Sequence, residues 1–75
     1  MPMTELDTKG LRCPLPVLRA RKALKGLETG AILRIEATDP GAVQDFRSFC
    51  DTTGHELVNS GEADGIFTFE IRKTG

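Results

Sequence analysis

The stretch Gly30-Ala31-Ile32-Leu33-Arg34-Ile35-Glu36-Ala37-Thr38-Asp39-Pro40 decides the fold. Across residues 30–38, Ala31, Leu33, Ile35 and Ala37 alternate with Ile32, Arg34 and Glu36, which is the period of a strand with one buried and one wet face. Asp39-Pro40 then opens a helix. Asp39 is suited to the N-cap, where a carboxylate accepts from an orphan amide, and Pro40 to the first helical position, where its missing N–H is not needed. Downstream, Val43, Phe46, Phe49, Cys50 and Thr53 fall on one helical face, and Gly54 is a natural stop. Upstream, Val17, Ala20, Leu24 and Leu27 recur at steps of three and four, predicting a helix over residues 16–27 with Gly26 and Gly30 at its exit.

The two ends of the chain complete the pattern. Residues 3–9 read as a short first strand with Leu6 inward, punctuated by Gly10. Residues 55–60 form a weaker strand around Leu57-Val58, residues 61–65 a hairpin loop, and residues 66–72 a strand with Phe67, Phe69 and Ile71 inward and Thr68, Glu70 and Arg72 outward. The order is βαβαββ. A helical crossover makes the first two strands parallel and places both helices on one face. The expected architecture is a two-layer α/β (α+β) sandwich with a mixed four-stranded sheet, formed by residues 1–75 as a single domain.

Composition narrows the function classes. The 75 residues carry 28% charged side chains and a net charge of −1, so no bulk basic excess points to direct nucleic-acid binding. No apolar run is long enough to cross a bilayer, and the start Met-Pro-Met-Thr-Glu-Leu-Asp has neither a basic nor an apolar leader region, so the expected location is the cytoplasm, with no membrane partner. Two cysteines in such a chain do not make a disulfide framework, and without Cys-x-x-Cys or His-x-x-x-His spacing no metal or other cofactor is expected.

The candidate site is Gly10-Leu11-Arg12-Cys13-Pro14-Leu15-Pro16-Val17, where the first strand passes into the first helix. Pro14 keeps Cys13 out of the α region, so the cysteine belongs at the mouth of the helix and not inside it. There the macrodipole and Arg12 favour a thiolate, which argues for a lowered thiol pKa. Pro14 and Pro16 also remove two N–H groups that might have bonded the sulfur, fixing the loop and leaving the thiol unencumbered. Two readings stand on these residues: a reactive thiol, or one packed under the loop between Leu11 and Leu15.

Topology sets what can join it. Cys13 and Asp39 follow the ends of parallel strands and belong to the same sheet edge. Cys50 lies on an apolar face, ten residues and about 15 Å down the second helix from Pro40. A disulfide needs Cα atoms within about 7 Å, so Cys50 reads as a core residue. His55 begins a strand at the opposite end, which argues against a cysteine–histidine nucleophilic pair. Charge is uneven: residues 9–25 hold six bases (Lys9, Arg12, Arg19, Arg21, Lys22 and Lys25) and no acid, while residues 26–75 hold nine acids and four bases. Arg19, Arg21, Lys22 and Lys25 form either a solvated helix face or a docking surface for an acidic or phosphate-bearing partner.

The residues Leu6-Asp7, Gly10-Leu11-Arg12-Cys13-Pro14-Leu15-Pro16, Gly30, Asp39-Pro40, Phe49-Cys50, Gly54-His55-Glu56-Leu57 and Ile71-Arg72-Lys73 together resemble the TusA (SirA-like) family of sulfur carriers, whose motif is Cys-Pro-x-Pro. The resemblance runs along nearly the whole chain. It implies the βαβαββ sandwich and a persulfide relay. Cys13 would accept sulfane sulfur from a donor protein such as a cysteine desulfurase or a rhodanese-like enzyme. It would then pass the sulfur to an acceptor protein, with Arg12, Pro14 and Pro16 positioning the motif. Destinations in the family include transfer-RNA thiolation, molybdenum cofactor supply and sulfur oxidation. Two other classes compete: a regulatory or scaffold module of the same fold, and a thiol redox protein, disfavoured because no resolving cysteine lies near.

Overall fold

A computed structural model describes residues 3–74; residues 1, 2 and 75 of the expected domain lie outside the described residues. The elements follow in the order β1 (Met3–Thr8), α1 (Leu15–Lys25), β2 (Ile32–Ala37), α2 (Gly41–Thr53), β3 (Glu56–Ala63) and β4 (Ile66–Arg72). The sheet order is β1-β2-β4-β3, with β1 parallel to β2 and the other pairs antiparallel. Both helices cover one face, giving the expected two-layer sandwich. The strand β2 lies beside both β1 and β4, with Leu33, Ile35 and Ala37 fully buried.

The core is a single cluster. Leu33, Ile35, Ala37, Phe69 and Ile71 rise from the sheet to meet Ala20 and Leu24 of α1 and Ala42, Phe46, Phe49 and Cys50 of α2. Phe46 and Phe69 stack with ring centroids 4.6 Å apart. On the open face Glu5, Arg34 and Glu70 stand in one row across β1, β2 and β4, as the outward positions of the alternation require.

Four details differ from the expectation. Helix α1 stops at Lys25 because Gly26 turns its N–H back to Ala23 and Leu24, so Leu27 packs on the core from outside the helix. The apolar stripe of α2 is Ala42, Phe46, Phe49 and Cys50, at i, i+4, i+7 and i+8, while Val43 lies at its margin, about 60° from Phe46 on the helix, and is exposed. Thr53, also expected on that stripe, is exposed in the last turn and donates its hydroxyl to the Phe49 carbonyl at 2.7 Å. The strand β3 runs through Gly61, Glu62 and Ala63, residues expected in a loop. The turn itself is only Asp64-Gly65, with φ of 54° and 78°, the two left-handed residues that a tight hairpin requires.

Candidate functional site around Cys13

Thr8 pairs with Ala37, so β1 and β2 end level and release their following loops from the same sheet edge. These loops are laced together. Thr8 donates its hydroxyl to the Glu36 carbonyl at 2.6 Å, the Gly10 N–H donates to Thr38 Oγ1 at 2.9 Å, and the Cys13 N–H donates to Asp39 Oδ2 at 2.6 Å. The other oxygen of Asp39 accepts the Gly41 N–H at 3.0 Å. Regular helix starts at Gly41 and Pro40 occupies the flanking position, one residue later than the sequence reading placed it, yet Asp39 performs the capping it was assigned.

Cys13 is exposed and its thiol is free, whereas Cys50 is buried among Phe46, Phe49 and Leu24 of the core. The Cys13–Pro14 peptide is cis. Pro14 occupies the N-cap position of α1 and Pro16 is buried against the core side of the first turn. The helix mouth offers the sulfur few amides: Pro14 and Pro16 have none, the Leu15 N–H donates to the Arg12 carbonyl at 2.8 Å, and the Leu18 N–H donates to the Pro14 carbonyl at 3.1 Å.

The group that Sγ does meet is a carboxylate. The thiol donates to Asp45 Oδ2, on the second turn of α2. This contact, then desolvation and the negative charges of Asp45 and Asp39, push the thiol pKa up from 9.0 to about 11. The expectation of a lowered thiol pKa is therefore overturned: the hydrogen-bond partner of the thiol is a carboxylate, and the charges that act on it are negative. Arg12 is exposed and acts on Asp39, whose carboxyl is held below 3.8 first by the Cys13 and Gly41 amides, with a smaller contribution from Arg12.

Sequence reasoning missed Asp45. Its signal was present: on a helical wheel it borders the Ala42/Phe46/Phe49 stripe, a turn and a half beyond Asp39, on a helix whose start had been assigned to the same edge as Cys13. Pro14 and Asp45 line a groove of ≈ 330 Å³ between α1 and α2, together with Val17, Arg21, Phe49 and Thr52.

The four candidate docking residues are all exposed but do not share one surface. Arg21 and Lys25 lie on the α2 side, lining a depression with Leu24, Phe49, His55 and Lys73. Arg19 and Lys22 lie on the other flank, facing β1 across Leu6, Leu18 and Ala23. Lys9 is paired with Asp7 at 3.0 Å and Glu36 at 3.2 Å. His55 precedes β3 at the far end of the sheet, where its Nδ1 accepts the Thr74 N–H at 3.2 Å and its ring lies 5.9 Å from that of Phe49. Among the described residues, no three His, Cys, Asp or Glu side chains converge as metal ligands.

Comparison with known proteins gives a consistent outcome. The family model described as sulfurtransferase TusA matches residues 4–73. A sulfur carrier protein TusA of Allochromatium vinosum is 51% identical over 70 residues, covering 93% of this chain and 92% of the relative. A putative sulfur carrier protein of Neisseria meningitidis is 51% identical over 67 residues, covering 89% and 90%. Among solved structures, a SirA-like protein from Desulfitobacterium hafniense superposes with a TM-score of 0.84 at 26% identity, covering 99% of this chain and 100% of its own.

Proposed function

The chain belongs to the sulfurtransferase TusA family, and from that premise we propose that it is a sulfur carrier whose working atom is Sγ of Cys13. The observation that carries the assignment to Cys13 is the contrast between its two thiols: Cys13 exposed at the strand–helix junction, Cys50 buried. The sulfur of Cys13 attacks the sulfane sulfur of a donor persulfide, the donor's S–S bond breaks, and the donor leaves as a thiol. Cys13 then carries the sulfur as a persulfide. No change in total oxidation state occurs, so the cycle needs no oxidant or reductant. The charge of the loaded form sits on the outer sulfur, about 2 Å beyond Sγ, where an acceptor protein can reach it.

A relay of this kind has two protein partners, a sulfur donor such as a cysteine desulfurase or rhodanese-like enzyme, and an acceptor. The chemistry of the carrier is the same whether the sulfur goes to transfer-RNA thiolation, molybdenum cofactor supply or sulfur oxidation. Arg12, Pro14 and Pro16 hold the loop open: Pro16 is anchored in the core and Pro14 occupies the N-cap position of α1, while Arg12 supports Asp39, which fixes the Cys13 amide. The groove along Arg21 and Thr52 and the flank bearing Arg19 and Lys22 both adjoin α1, so each offers a partner a route to its N-terminal end. No helix of the described residues is long and apolar enough to cross a membrane.

The test is intact mass after incubation with a persulfide donor. Wild type and Cys50→Ser should gain a labile sulfur that a reductant removes, and Cys13→Ser should gain none. Loading of Cys13→Ser with none on Cys50→Ser would move the site to the buried thiol. No loading of any form would favour a regulatory or scaffold role for the fold.

A further inference from the structure

Asp45 has no part in the relay described above, yet its carboxylate accepts the hydrogen bond of the reacting thiol. It projects from α2, half-buried at the head of the α1/α2 groove, and accepts the hydrogen of Cys13 Sγ. The other charged groups around the thiol are Asp39 ahead of α2, Arg12 on the cysteine's own loop, and Arg21, which reaches the same groove from α1. We propose that Asp45 is a catalytic proton acceptor for Cys13 in sulfur transfer, a role that rests on the reading of Cys13 as the sulfur carrier.

The step balances without any further reagent. With the donor written R–S–SH, the Sγ lone pair forms a bond to the outer sulfur, the R–S bond to that sulfur breaks, and its electron pair leaves with R–S⁻. The Cys13 proton passes to the Asp45 carboxylate and from there to R–S⁻, giving R–SH and Cys13–S–SH. In the discharge step an acceptor thiol R′–SH attacks the outer sulfur as its proton passes to the Asp45 carboxylate, the S–S bond to Sγ breaks with its pair on Sγ, and the departing Sγ takes that proton from the Asp45 carboxyl, giving R′–S–SH and Cys13–SH. One carboxylate thereby serves both half-reactions, as base toward Cys13 when sulfur arrives and as acid toward it when sulfur leaves.

The same contact has a second effect that makes the role testable. It keeps the resting thiol protonated, with its pKa near 11, so the thiolate is scarce at neutral pH. A thiol with a weak intrinsic tendency to ionise reacts slowly with electrophiles that offer no matched proton transfer, such as alkylating agents and peroxides. If Asp45 only suppressed the thiolate, removing its charge would speed every reaction of Cys13. If it also takes the proton, removal speeds alkylation but slows sulfur transfer.

The experiment compares wild type with Asp45→Asn, Asp45→Glu and Cys13→Ser, using glutathione persulfide as the donor and iodoacetamide as the alkylating probe. In Asp45→Asn the alkylation rate at pH 7 should rise about tenfold or more, as the thiol pKa falls toward its ordinary value. Persulfide loading should fall about a hundredfold or more, the lower end of what a general base contributes. Its rate should then climb with pH as the thiolate fraction does, while that of wild type stays flatter between pH 6 and 8, and Asp45→Glu should recover part of the loading. Asp45→Ser repeats the comparison if circular dichroism shows the asparagine variant misfolded, with the same split expected. Loading by Asp45→Asn or Asp45→Ser that is as fast as wild type, or that accelerates in parallel with alkylation, overturns the role of Asp45 and leaves the carrier reading intact. Loading of Cys13→Ser overturns the carrier reading itself.

Discussion

A single carboxylate, that of Asp39, accepts the Cys13 N–H on one oxygen and the Gly41 N–H on the other, so the loop before α1 and the first turn of α2 share one anion. The Cys13 amide is the larger cause of its lowered pKa and the Gly41 amide the next. The sign follows: a group whose folded pKa lies below its unfolded 3.8 contributes stability above 3.8 and loses it as pH falls through the folded value. In an acid titration followed by NMR, the amide resonances of Cys13 and Gly41 should therefore shift together, with a shared midpoint below pH 3.8, and neither shift should survive in Asp39→Asn. Two amides titrating apart, or unchanged in that variant, would mean that Asp39 does not join the two segments. Asp39 was legible in the sequence because Asp-Pro is a helix-start pair with a mechanism. The sign of the Cys13 shift was not legible, because it depends on Asp45, far along the chain on α2, meeting Sγ in the folded protein. Two prolines in the first turn, and the bond of the Leu15 amide to Arg12, also leave the helix mouth with few donors to offer Sγ.

At the scale of the element, the terminus of α2 isolates one physical effect. Gly54 adopts φ of 84°, its N–H donates to the Cys50 carbonyl at 2.9 Å, and a Cβ built there would meet nothing within 4 Å. Gly54→Ala should therefore cost only the left-handed conformation of an L-residue, about 1 kcal/mol, with an unchanged denaturant m-value. For a domain of this size that lowers the thermal midpoint by roughly 4–8 °C. No loss, or a loss of several kcal/mol, would show that the helix ends differently in solution. Where one period held, the elements were legible: β2 and β4 from strict alternation, and the bodies of both helices from three- and four-residue steps. Where pairing overrode local pattern, they were not. Val58 is extra in the β3 register, between Leu57 opposite Ile71 and Asn59 opposite Glu70, and this bulge erases the alternation. Gly61-Glu62-Ala63 has the composition of a loop, yet it is held as strand by Thr68, Phe67 and Ile66 across the hairpin. Likewise Val43 outranks Ala42 in hydrophobicity, but the centre of the stripe is set by Phe46, Phe49 and Cys50, which puts the smaller residue against the sheet.

Across the whole molecule the charges separate by layer. Helix α1 carries Arg19, Arg21, Lys22 and Lys25 and no acid, all four exposed, while the outward positions of the sheet include Glu5, Asp7, Glu36 and Glu70. A donor with an acidic face is thus drawn to the layer that holds Cys13 and repelled from the opposite one, and this steering weakens as salt shortens the Debye length from about 30 Å at 0.01 M to about 8 Å at 0.15 M. The one-surface expectation from the helical wheel gives way here to two flanks, and single charge reversals separate them. Arg21→Glu alters the α2 side beside the thiol's groove, and Lys22→Glu alters the β1 side. With an acidic donor protein, the reversal on the flank the donor uses should slow loading about tenfold at low salt, narrowing several-fold at 0.15 M, while the other reversal changes little. Glutathione persulfide, which needs no docking surface, should load Lys22→Glu at the wild-type rate, and should load Arg21→Glu, whose charge lies in the thiol's own groove, with a smaller deficit than the acidic donor protein shows. That control ties any further loss to protein association and keeps it apart from the proton transfer assigned to Asp45. A deficit that is the same at both salt concentrations would remove steering as its cause. Equal, small effects of both reversals would return the basic face of α1 to the simpler role of a solvated helix surface, with the route to Cys13 set by shape alone.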